Sequence, residues 1–149
     1  MDVDVGVQIK DERNDMKKAL SIVAGVIAGG ITVGIVESLG HLIWPPPAGT
    51  DITNPEELAA IMHTIPTAAL IAVLVAWACG AWVGGLTTGI ISKDPSHLPS
   101  ILTGAVLMTL GIITMITIPH PIWMWILGIA LPIPAAFYGA KVVSRLATK

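Results

Sequence analysis

The sequence predicts an all-α, polytopic membrane protein: an antiparallel bundle of four transmembrane helices, with a short interfacial helix in the first outer loop. Three observations predict it. First, 54% of the 149 residues belong to the AVILMFWYC set and only 12% are charged, against a usual charged fraction of roughly 25%; the mean hydropathy is +0.79. Second, charge is concentrated at the start, in Asp2, Asp4, Lys10, Asp11, Glu12, Arg13, Asp15, Lys17 and Lys18, and is absent from Leu58 to Ser92 and from Pro95 to Ala140. Third, proline-bearing breaks divide the rest into four apolar stretches. Each is long enough for the ~20 helical residues that cross a bilayer core of about 30 Å.

The same figures exclude other classes. Eight Lys and Arg against ten Asp and Glu leave no basic field for nucleic acid. The apolar content excludes a disordered chain and argues against an ordinary soluble globule. The single Cys79 excludes an internal disulfide framework and an all-thiolate metal site.

Residues 1–18 read as a cytoplasmic polar tail. Val3, Val5, Val7 and Ile9 alternate with Asp2, Asp4, Gly6 and Gln8, the pattern of a short strand. A lone strand is unstable, so this tail is either a strand with a partner or a mobile segment. Residues 19–149 form the transmembrane domain, with helices at about 19–43, 67–91, 100–118 and 122–143. The first of these is no signal peptide, because its apolar run is too long and no Ala-x-Ala site follows.

Small residues predict how the helices pack. Gly25, Gly29, Thr32, Val36 and Gly40 form one stripe on the first helix; Gly30, Gly34, Glu37 and His41 form another, about 130° away at 100° per residue. Two stripes imply a helix wedged between neighbours, or a homodimer face. Ala76, Gly80 and Gly84 offer a matching stripe on the second helix, since close backbone approach drives helix association in lipid.

In the first loop, Asn54, Pro55 and Glu57 form a capping box ahead of Leu58, Ile61, Met62 and Ile65, which predicts a short interfacial helix over 55–64. Lys93-Asp94-Pro95-Ser96-His97 reads as a cytoplasmic turn. Pro132 and Pro134 predict a kink in the fourth helix. Trp44, Trp123 and Trp125 fit an aromatic belt, and Trp77 and Trp82 fit helix packing.

Lys10, Arg13, Lys17, Lys18, Lys93, Lys141, Arg145 and Lys149 all fall on one side of this topology. The positive-inside rule therefore places both termini in the cytoplasm of a bacterial inner (plasma) membrane. Thr32-x-Gly34-Ile35 before His41-x-Ile43-Trp44 echoes Thr109-x-Gly111-Ile112 before His120-x-Ile122-Trp123; this is either a parallel repeat of a two-helix unit or coincidence.

The candidate site residues gather at the outer side. Glu37 lies one turn before His41, so the two side chains share a face, and His120 and His63 fall at the same level. An intramembrane carboxylate needs a partner, a proton or a wet cavity. The chemistry these residues allow is a divalent metal held by Glu37, His41, His120 and His63, with Asp51 as a further oxygen donor. The alternative is a polar pairing of Glu37 with His41. No GxxxxGK[ST] loop, GxGxxG loop, HExxH pattern or activated nucleophile is present, and Thr103, Thr109, Thr114 and Thr117 are expected to bond back to their own helix.

The segment Glu37-Ser38-Leu39-Gly40-His41-Leu42-Ile43-Trp44-Pro45-Pro46-Pro47-Ala48-Gly49-Thr50-Asp51, with Pro119-His120-Pro121-Ile122-Trp123, resembles an uncharacterised set of small four-helix bacterial membrane proteins. The likeness implies the fold and brings no activity with it. Three functions remain as expectations. The first is a non-catalytic accessory or scaffold subunit of a membrane complex or homo-oligomer. The second is a metal- or cofactor-binding protein. The third is a small ion or solute transporter that uses Glu37.

Overall fold

Prolines and two left-handed residues set the helix ends. In the computed structural model, which describes residues 2–147, α1 spans Asp2–Ile43 and stops ahead of Pro45-Pro46-Pro47. A short α2, Pro55–Ile61, continues as a 3-10 turn over Met62–Thr64. Next come α3, Thr67–Ser92, and α4, Leu98–Thr117. Lys93 (φ 53°) and His97 (φ 56°) take left-handed conformations in the turn between them. The last apolar stretch is split into α5, Ile122–Ala130, and α6, Pro132–Ala147, the break falling where the Pro132–Pro134 pair predicts a kink. Among the described residues there is no strand. Four stretches, Lys10–Ile43, Thr67–Ser92, Leu98–Thr117 and Ile122–Leu146, are long and apolar enough to cross a membrane.

The strand reading of the N-terminal tail is corrected. The backbone of residues 2–18 is helical and continuous with the apolar part of α1. No proline or left-handed residue interrupts the chain there. Propagation from an existing helix fixes one residue per hydrogen bond gained, whereas a new strand needs a partner to pair with. Lys149, one of the basic residues counted above, lies outside the described residues.

Within this chain, the glycines of only one α1 stripe approach another helix. A Cβ at Gly29 would lie 2.8 Å from the Gly80 carbonyl oxygen, and one at Gly84 would lie 2.8 Å from that of Gly25. Gly40 faces Ala72 at 3.8 Å. Gly30 and Gly34 have open space where a side chain would stand. The wedged helix is α3. Its Gly80 and Gly84 admit α1, while Gly85 and Gly89 admit Ala136 and Ala140 of α6. Residue numbers rise along α1 as they fall along α3, and rise together along α3 and α6.

Hydroxyls tie three helices together beside these glycines. Ser21, Thr88, Ser100 and Thr103 are fully or almost fully buried. Thr88 Oγ1 lies 2.8 Å from Thr103 Oγ1, 2.9 Å from the Gly84 carbonyl and 3.2 Å from that of Ser21. Ser100 donates to the Gly85 carbonyl at 3.0 Å. Among the described residues no buried side-chain polar atom lacks a partner. Thr109, Thr114 and Thr117 bond back one turn within α4, as expected; Thr103 does so and also reaches α3.

The turn after α3 is closed by Asp94. Its Oδ1 accepts from Ser96 Oγ at 2.6 Å and from Ser96 N at 2.8 Å, and its Oδ2 lies 3.1 Å from Lys18 Nζ of α1. The Ser96 bonds, with Lys18 behind them, hold the Asp94 carboxyl down at about 2, from an ordinary 3.8. Because the folded value is the lower one, the ionised turn stabilises the fold at every pH above that ordinary range. The contribution disappears as pH falls towards about 2. A carbon-detected NMR titration is expected to show Ser96→Ala raising the Asp94 pKa more than Lys18→Met does. A larger shift in Lys18→Met would reverse this ranking.

Candidate functional site

At the end of the molecule opposite Asp94, the proline-rich loop and the short helix cover a cavity. Asn54 caps α2 by accepting from Glu56 N at 3.0 Å. Glu57 does not close the predicted capping box onto Asn54 N; its Oε2 accepts from Asp51 N at 2.7 Å, which ties down the loop instead. Behind α2, Met62 and Ile65 pack on Leu70, Leu74 and Met124, together with Trp123. Trp123, half-buried at the start of α5, joins this hydrophobic cluster. Trp82, expected to pack, is 39% exposed.

The cavity holds about 460 Å³. Its walls are mostly apolar, with the Pro45–Pro47 strap, Trp44 and Val73 among them, and three titratable side chains line it: Glu37, His41 and His120. Glu37 is half-buried on the last third of α1. Its long side chain reaches to α3, where Trp77 Nε1–H donates to Oε1 at 3.1 Å. Among the described residues nothing hydrogen-bonds Glu37 Oε2. Since no buried polar atom lacks a partner, that oxygen is accessible, on a residue that lines the cavity.

Trp77 is seated by absent side chains. A Cβ at Gly111 of α4 would lie 3.2 Å from its Cζ3, and one at Gly128 of α5 would lie 3.1 Å from the same atom. The six-membered ring of the indole thus packs against two helices while its N–H reaches a third. This partner of Glu37 is 40 positions away in sequence, and sequence reasoning assigned it only to packing.

His120 sits in the turn after α4 with Nδ1 2.6 Å from the Ile118 carbonyl oxygen. A carbonyl only accepts, so Nδ1 carries the proton, and in the neutral ring Nε2 is the acceptor. His41 is exposed at the cavity rim one turn beyond Glu37. His63, on the 3-10 turn, is exposed and does not line the cavity. Asp51 turns into its own loop, where Thr53 Oγ1 and N donate to Oδ1 at 2.6 and 2.9 Å. These bonds hold its carboxyl below the ordinary carboxylate range. Three of the four residues expected to bind metal therefore share one cavity. Among the described residues, however, no three His, Cys, Asp or Glu side chains form a group that could hold a metal ion.

What remains is a concave, apolar chamber with a few convergent polar atoms, the usual form of a small-molecule site. Compared with known proteins, the chain matches no family model, no curated protein and no solved structure.

Proposed function

We propose that this chain is a four-span inner-membrane protein that binds a small amphipathic molecule without transforming it. It crosses the bilayer in alternating directions, with both termini in the cytoplasm. Four sufficiently long apolar helices and the one-sided distribution of Lys and Arg support this topology. The cavity then opens at the outer boundary. The observation that carries the binding reading is the chamber of about 460 Å³ into which Glu37, His41 and His120 converge. Apolar walls would hold a ligand's body and the polar rim would orient its head.

Native mass spectrometry of protein extracted gently from its own membrane tests this reading. Wild type is expected to carry one small-molecule mass increment per chain, and Ala69→Trp, which fills the cavity, is expected to lose it. Wild type without any increment would overturn the reading. The same spectrum addresses a second role, as an accessory subunit of a larger assembly. That role is supported by the open face of α1 at Gly30 and Gly34, and it requires a mass that includes a further subunit.

A further inference from the structure

Among the described residues, every Lys and Arg is remote from the cavity. The basic residues among the described positions lie on the first half of α1 (Lys10, Arg13, Lys17, Lys18), in the turn at Lys93, and on the latter part of α6 (Lys141, Arg145). No Lys or Arg lines the chamber, whereas a carboxylate does. One oxygen of that carboxylate is held by Trp77, and the other is accessible and bound by no protein group. The remaining titratable groups on the walls are the imidazoles of His41 and His120. The indoles of Trp44 and Trp77 also line the chamber, and aromatic faces attract cations.

We infer that the chamber selects its ligand by charge and takes an amphipathic cation, a molecule with an apolar body and an ammonium-type head that docks against Glu37 Oε2. This rests on the binding reading above. An anion of the same shape would be desolvated next to a carboxylate with no compensating positive group. A cation would meet a pre-positioned partner, because Trp77 already fixes the other oxygen. The ligand's chain would lie along the proline strap and Val73.

Two probes of equal chain length and opposite charge test this: decyltrimethylammonium and decanesulfonate. Each is titrated by calorimetry at pH 8 into protein in maltoside micelles, and empty micelles are subtracted. Decyltrimethylammonium is expected to bind saturably at one per chain, at least tenfold more tightly than decanesulfonate, and Glu37→Gln is expected to remove most of that preference. Equal binding of the two probes, or an unchanged preference in Glu37→Gln, would overturn the charge selection. Ala69→Trp separates the two claims. If it abolishes binding while Glu37→Gln leaves the preference intact, the chamber is a site but Glu37 does not choose its ligand. If it changes nothing, the probes bind elsewhere and both readings fall. Circular dichroism of each variant establishes that the helices have formed.

Discussion

Gly85→Ala and Gly139→Ala are each expected to prevent α3 and α6 from docking. A Cβ at Gly85 would fall on the backbone carbonyl of Ala136, and one at Gly139 on that of Trp82, both far inside van der Waals contact. The obstruction is main chain in each case, so no rotamer change relieves it and the two helices must separate. Overpacking a core typically costs about 1–3 kcal/mol; with backbone as the obstacle the cost is expected to reach about 3 kcal/mol or more. The measurement is the denaturation midpoint in mixed micelles, read together with monodisperse yield. Gly30→Ala and Gly34→Ala are the controls. Their sites are open, and replacing helical Gly with Ala gains up to about 1 kcal/mol. Equal tolerance at all four positions would refute the packing described for α3.

Removing Trp77 is the second large effect. Trp77→Ala deletes an aromatic ring that spans from Gly111 and Gly128 to Glu37. Such truncations cost about 3–5 kcal/mol in cores. Here the lower end is expected, because the indole is only half-buried. Trp77→Phe keeps most of the volume and removes the N–H, leaving Glu37 Oε1 without its donor at a cost of about 1–3 kcal/mol. Adding Glu37→Leu to Trp77→Phe is expected to recover part of that loss, since a pair removed together leaves no orphan. A double-mutant cycle on unfolding free energies measures this coupling. Strict additivity would mean that the Glu37–Trp77 bond contributes nothing to the fold.

These two effects differ in how far the sequence announced them. The four apolar stretches and the break at Pro132–Pro134 follow from hydropathy and from the missing proline N–H. The convergence of Glu37, His41 and His120 follows from helix spacing, because each lies near a helix end at the same level. The Trp77 partnership depends on how far α3 is rotated about its axis, and hydropathy is blind to rotation in an element that is apolar all round. The Gly84-Gly85 doublet did carry a signal. Two adjacent glycines, extended to Gly80 and Gly89 at four-residue spacing, mark two faces rather than one. The alternation of Val3, Val5, Val7 and Ile9 misled because a period of two is outweighed when a long helix already stands at the next residue.

Seating Trp77 between α4 and α5 also has a consequence for biosynthesis. Glu37 and Trp77 are both translated before residue 78, yet the two glycines that fix the indole arrive at positions 111 and 128. A nascent chain holding only the first two apolar stretches has the carboxylate and the tryptophan but neither glycine that packs against the ring. The seat of Trp77 is therefore completed late in synthesis, once α5 has emerged, and until then Glu37 has no fixed donor. A chain cut short after α4 would keep the α1–α3 contact and lack Gly128 behind Trp77.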